Sequence, residues 1–129
     1  MPHPHTYSIT ELAREFELTP RSIRHYEDEG LLAPSRLGQQ RVFTHRDRIR
    51  LALIQRGKSV GFSLADIKEI LDLYDARGET LQALVLREKI KIRRDQLRQQ
   101  QADIEHMLEE LNIIEARLTA EQNAEQEAV

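Results

Sequence analysis

Two arginines have the spacing that points most directly to a chemistry. Arg21 and Arg24 lie three residues apart, just after Thr19-Pro20. On a helix that spacing puts both on one face. An arginine fork matches the O6 and N7 acceptors of guanine, the commonest specific base contact. The chemistry is recognition of an ordered polyanion rather than catalysis. Catalytic constellations are absent from the sequence: there is no glycine-rich phosphate loop and no Ser/His/Asp arrangement. There is no cysteine either, which excludes disulfides and thiolate metal sites. The five histidines (His3, His5, His25, His45, His106) are scattered apart from the His-Pro-His start. No enzyme, no metal and no cofactor is expected.

Charge supports a polyanion partner. The net charge of −3 conceals an asymmetry: residues 1–61 carry ten Lys and Arg against seven Asp and Glu, whereas residues 62–129 carry nine against fifteen. Between Arg36 and Lys58, seven basic residues face Asp47 alone. A basic half joined to an acidic one is the pattern of a chain that meets a polyanion at one end, although a solvated charged surface has the same composition. No stretch approaches the roughly 18 apolar residues of a membrane span. Met1–His5 has no basic segment leading into an apolar run, so no secretory signal is read there. A cytoplasmic protein is expected.

The elements that would position the arginines are marked by their caps. Ser8-Ile-Thr-Glu11 fits a capping box, and Thr44-His-Arg-Asp47 and Ser63-Leu-Ala-Asp66 share its spacing. Thr19-Pro20 supplies an N-cap followed by proline at the first helical position. The predicted helices run over about 8–16, 20–29, 45–58 and 63–74, with Asp75-Ala-Arg-Gly78 as a turn closed by glycine. Helices one and two, joined only by Glu17, Leu18 and Thr19, form a helix-turn-helix. Ile9, Leu12, Ala13 and Phe16 face a core from the first, and Ile23 and Tyr26 from the second. Residues 31–43 contain Pro34 and Gly38 and end in a short strand, Arg41-Val42-Phe43, which predicts a β-hairpin wing.

From Glu79 to about Ala120 there is neither Gly nor Pro. Ile90, Leu97, Ile104, Leu111 and Leu118 fall seven apart, and their companions four residues earlier are Leu86, Arg93, Gln100, Met107 and Ile114. That is a heptad seam with a polar middle. About 40 helical residues span roughly 60 Å, more than a head of this size can cover, so the seam predicts a coiled-coil homodimer; a helix folded back on its own head is the alternative. The dimerisation residues are Leu86, Ile90, Leu97, Ile104, Met107, Leu111, Ile114 and Leu118. The fold class is mainly α. A winged helix-turn-helix head covers 7–75, a coiled-coil helix covers 79–120, and an acidic tail over 121–129 is expected to fray.

These residues carry a resemblance. Tyr7-Ser-Ile-Thr-Glu-Leu-Ala13, Ser22-Ile-Arg-His-Tyr-Glu27 and Gly30-Leu-Leu-Ala-Pro34, continued by Arg41-Val-Phe43 and Arg46-Asp47, resemble the N-terminal signature of the MerR family of bacterial regulators. The resemblance covers roughly residues 7–118. It implies a winged head, an antiparallel coiled coil between protomers, and a twofold DNA site in a promoter with an overlong spacer, which the effector-bound dimer bends and untwists. RNA polymerase is then an implied partner. Within the family, Gly38-Gln-Gln-Arg-Val-Phe43, Arg56-Gly-Lys-Ser-Val-Gly-Phe-Ser-Leu64 and Leu71-Asp-Leu-Tyr-Asp75 are most similar to regulators of leucine and isovalerate utilisation. One departure stands out: family members usually place glycine two residues before the wing arginine, where this chain has Gln39, with Gly38 one earlier.

The expected DNA contacts are Arg21, Ser22, Arg24, His25, Tyr26, Arg41 and Phe43. Arg21 and Ser22 are read as base contacts. Arg24 is read as a base or phosphate contact, with an ion pair to Glu27 or Asp28 as its structural alternative. Tyr26 either reaches phosphate or belongs to the core, and His25 either donates to phosphate or is solvated. Arg41 grips phosphate from the wing while Phe43 anchors the hairpin. Arg46, Arg48, Arg50, Arg56 and Lys58 form a wider basic fringe, part of it merely solvated. The family's thiol-based metal and redox sensing requires cysteines that this chain lacks, so an organic effector, or none, is expected. The likeness implies a branched-chain acyl or acyl-CoA metabolite, with Tyr74, Leu81, Leu84 and Val85 as a candidate lining. An architectural DNA-binding protein of the excisionase type is the alternative function, though it has no need of the heptad helix.

Overall fold

The computed structural model describes residues 5–77 and 79–128, excepting the side chains of 74–77 and 79. The chain divides into two compact units, one ending at Lys89 and the other beginning at Ile90. The first unit holds all the elements before the long helix. Helix α1 (Ile9–Glu15) begins with a complete capping box: Ser8 Oγ accepts from the Glu11 amide at 3.1 Å and Glu11 accepts from the Ser8 amide at 3.0 Å. The chain then turns through Glu17, whose φ of 55° is left-handed. Helix α2 (Pro20–Asp28) starts at Thr19, whose hydroxyl accepts from the Ser22 amide. It ends before Gly30, which takes φ 79°, a conformation that costs glycine little.

Strands β1 (Ser35–Leu37) and β2 (Gln40–Val42) pair antiparallel, Ser35 with Val42, Arg36 with Arg41 and Leu37 with Gln40. This is the wing, closed by Gly38 at φ 64°. The second strand begins and ends one residue earlier than the sequence suggests, because Phe43 leaves the hairpin to bridge with Tyr7. The Phe43 amide donates to the Tyr7 carbonyl at 2.9 Å and the Tyr7 amide to that of Phe43 at 2.8 Å.

Helix α3 (His45–Ser59) carries a second complete capping box, Thr44 with Asp47. Asp47 is buried, and its carboxylate accepts from both the amide and the hydroxyl of Thr44. Helix α4 (Leu64–Arg77) starts at Ser63, whose hydroxyl accepts from the Asp66 amide. It continues through residues predicted as a turn, since Ala76 and Arg77 are strong helix formers; the predicted glycine cap at Gly78 lies outside the described residues.

The core of this unit collects Leu12 from α1, Ile23 from α2, Leu31 from the loop, Phe43 from the wing's exit, and Leu51 and Ile54 from α3, all fully buried. Burying each such side chain stabilises by about 1.5–3 kcal/mol. It is this shared core that fixes α2 and the wing relative to each other. Of the apolar residues of α3, Ile49 and Leu53 are exposed instead.

Helix α5 (Glu79–Ala128) begins in the first unit. There Gln82 donates to the Ile70 carbonyl at 2.9 Å, and Lys89 reaches Asp66 at 2.9 Å and Glu69 at 2.8 Å. The second unit consists of the rest of the helix, which stays helical through Ala128, including the tail predicted to fray. Among the described residues, no helix is long and apolar enough to cross a membrane.

Candidate nucleic-acid interface

Helix α2 is sharply two-sided. Ile23 and Tyr26 enter the core while Arg21, Arg24 and His25 are exposed. Positions 21, 24 and 25 follow one another at helical neighbour spacing, so they form one outward face. No described side chain bonds to Arg21 or Arg24, and Arg24 does not take the structural alternative of pairing with Glu27 or Asp28. Ser22 is half-buried and its hydroxyl lies 3.0 Å from that of Thr19. Its place is in the cap that starts the helix.

Two expected contact residues are core side chains. Tyr26 retains only 6% of its surface, and burial pushes its phenol up. Phe43 retains none. Its side chain is closed off from any outside contact, while its backbone fastens the exit of the wing to the segment at Tyr7.

The wing is tied to α2 through Glu27. Arg36 Nη2 donates to Glu27 Oε2 at 2.8 Å, and Arg41 Nε donates to Glu27 Oε1 at 2.6 Å. No local spacing announces this arrangement, because the partners lie nine and fourteen residues away; along the sequence Glu27 is only a neighbour of Arg24.

The basic fringe separates into two kinds. Arg48 donates from Nε to both carboxylate oxygens of Glu15 at 2.8 and 2.7 Å, and its guanidinium lies 5.8 Å from the centre of the Tyr7 ring. That bond holds the Glu15 carboxyl below its usual value and raises Arg48. Arg50 donates to the Leu31 carbonyl at 2.9 Å and lies 3.5 Å from Asp72. These two are fastened into the head. Arg56 and Lys58 are exposed. Among the described residues no three His, Asp or Glu gather closely enough to hold a metal ion. In the candidate effector lining, Leu81 and Val85 are half-buried, Leu84 is exposed, and the Tyr74 side chain lies outside the described residues.

The chain is similar to known proteins in sequence and in fold. Residues 7–74 match the model of the MerR HTH family of regulatory proteins, and residues 48–113 match a second, described as MerR, DNA binding. The chain belongs to the MerR family. This MerR chain is 38% identical over 69 residues to the HTH-type transcriptional regulator ZntR of Escherichia coli K12, a match covering 52% of this chain and 49% of that one. The chain therefore spans about half the length of that curated relative. A transcriptional regulator of the MerR family from Bacillus cereus has a crystal structure with TM-score 0.66 at 29% identity, covering 84% of this chain and 78% of its own. The crystal structure of HiNmlR, described as a MerR family regulator lacking the sensor domain and bound to promoter DNA, has TM-score 0.60 at 27% identity, covering 81% and 80%. The helical fold with a two-stranded hairpin and a long C-terminal helix is the MerR fold. None of these matches singles out leucine and isovalerate regulators within the family.

Proposed function

We propose that this MerR protein is a sequence-specific DNA-binding transcriptional regulator that works as a homodimer on an inverted-repeat promoter site. The observation that carries the proposal is the outward face of α2, where Arg21 and Arg24 stand exposed with no protein partner among the described residues. A helix-turn-helix presents the start of its second helix to base edges in the major groove, and these arginines occupy that start. Likeness to a MerR regulator bound to promoter DNA supports the same reading.

Dimerisation rests on α5. Ile90, Leu97, Ile104, Met107, Leu111, Ile114 and Leu118 are exposed in the single chain, at the heptad positions that a second helix covers. Leu86 is half-buried at the start of the seam. An architectural protein has no use for such a seam. A promoter site makes RNA polymerase the neighbouring partner. The segments similar to regulators of leucine and isovalerate utilisation, together with the absence of cysteine, favour a branched-chain acyl or acyl-CoA effector.

Selection from random duplexes tests the function. The expected product is a twofold-symmetric site with half-sites separated by whole helical turns; recovery of no symmetric site overturns the proposal. For the effector, short-chain and branched acyl-CoAs are screened by thermal shift, since a ligand that binds the folded state raises its melting temperature. A screen in which no acyl-CoA moves the transition removes the effector assignment.

A further inference from the structure

We propose that Glu27 is a specificity-determining positioning residue, which holds the two wing arginines in a shared ion pair and so limits how strongly they grip phosphate on unmatched DNA. The inference rests on the DNA-binding reading above. Arg36 and Arg41 stand directly opposite each other in the hairpin, and like charges so placed repel. Glu27 resolves that repulsion by giving one carboxylate oxygen to each arginine, at 2.8 and 2.6 Å. Its side chain is 19% exposed, and that of Arg41 is 24% exposed. Two cations and one anion leave the wing a net charge of +1 where the hairpin alone would offer +2.

The placement of the carboxylate matters as much as its charge. Glu27 lies one helical turn beyond Arg24 on α2, on the element that presents the base-reading arginines. The shared core fixes the base of the wing against the recognition helix, and Glu27 adds a tie from that helix to both arginines of the hairpin. Each guanidinium still has N–H groups not directed at Glu27, so the wing can meet a phosphate where the duplex fits, with its reach set by the clamp.

The consequence is quantitative. Non-specific affinity follows the number of phosphates neutralised, with a slope of about −0.9 in log K against log salt for each. Releasing one wing charge steepens that slope by about 0.9 and strengthens binding to unmatched duplex on the order of eight-fold at about 0.1 M salt. A matched site gains less, because there the base contacts already fix the wing's position. Specificity falls.

The test titrates the duplex recovered by random selection, and a scrambled duplex of the same composition, across a range of salt by fluorescence anisotropy. Wild type, Glu27→Gln and Glu27→Asp are compared. Glu27→Gln is expected to bind scrambled duplex several-fold more tightly with a steeper slope and a reduced preference for the selected site, and Glu27→Asp to restore the wild-type slope. Equal weakening on both duplexes, or an unchanged slope, overturns the role. A second measurement needs no DNA: cleavage by trypsin after Arg36 and Arg41, relative to Arg98, accelerates in Glu27→Gln if the clamp holds the wing. Unchanged relative cleavage overturns the clamp. A wild type that binds neither duplex, with clamp-dependent cleavage intact, overturns the DNA-binding reading instead.

Discussion

Gly57 of α3 lies against Ile67 of α4 so closely that a Cβ on the glycine would sit 2.8 Å from Ile67 Cγ1 and 2.9 Å from Cδ1. Glycine in a helix interior usually costs about 1 kcal/mol relative to alanine. Here it admits the neighbouring helix. Gly57→Ala is expected to destabilise despite its better propensity, because overpacking a filled core costs about 1–3 kcal/mol. Urea denaturation reads the effect. In an Ile67→Ala background, which removes both clashing carbons, the same substitution should cost nothing; an equal loss in both backgrounds refutes the steric account.

Glu17 supplies the left-handed residue in the turn between α1 and α2. A side chain there costs roughly 1–2 kcal/mol, and glycine removes the cost while adding unfolded-state entropy. Glu17→Gly is expected to stabilise by about 0.5–1 kcal/mol, and Glu17→Ala, which keeps its Cβ, should give no comparable gain. Thermal melts of the two variants that shift equally would remove the strain argument.

Both residues show what a single sequence reveals. The capped starts of α1, α2, α3 and α4 were legible because each N-cap signal is written within four consecutive residues. The turn before α2 was legible from its length, and the wing from Pro34, Gly38 and its closing strand. The role of Gly57 was not legible, since nothing local announces that Ile67 will arrive there. The exposed face of α2 was readable from periodicity. The sharing of Glu27 between Arg36 and Arg41 depends on how the hairpin folds over the helix, and no spacing rule encodes that. Arg48 and Arg50 belonged to a basic block by composition, and only tertiary partners (Glu15, and the Leu31 carbonyl with Asp72) distinguish them from Arg56 and Lys58.

The join of α4 to α5 is expected to weaken at both extremes of pH. The hydrogen bond from Lys89 holds the Asp66 carboxyl below its ordinary value, so its contribution is present above the unfolded value of about 3.9 and is lost as pH falls through the lower folded value. Bonds to Glu69 and Asp66 raise Lys89, so its contribution is present below about 10.4 and is lost as pH rises through the higher folded value. Asp66 is 43% exposed, and solvent screening keeps the pair within the 0.2–1 kcal/mol of surface ion pairs. The stability difference between wild type and Lys89→Met should be constant near neutrality and shrink on both limbs. A difference that persists to strong acid contradicts the assignment to Asp66.

Arg21 and Arg56 should separate base reading from phosphate attraction. Arg21→Ala is expected to lose about 1–3 kcal/mol of discrimination at one base position, the range for a bidentate contact. Arg56→Gln should change selected and scrambled duplexes alike. Competition binding with single-position variants of the selected duplex measures both. Uniform loss from Arg21→Ala would move that residue from the groove to the backbone.

The proposed homodimer has a direction and a register that its charges favour. Arg87, Lys89, Lys91, Arg93, Arg94 and Arg98 make the early part of α5 basic, whereas Asp103, Glu105, Glu109, Glu110, Glu115 and Glu121 make the later part acidic. Parallel helices would set like against like; antiparallel helices set basic against acidic. The two sets of heptad positions then meet in register, 90 with 114, 97 with 107 and 104 with 100. Because the chain has no cysteine, cross-linking reads this without background. Leu97→Cys combined with Met107→Cys should oxidise to a covalent dimer. Leu97→Cys alone should not, since antiparallel packing separates its two copies by about 15 Å along the axis, beyond the roughly 7 Å between Cα atoms that a disulfide can bridge. A dimer formed by the single variant would show the helices to be parallel.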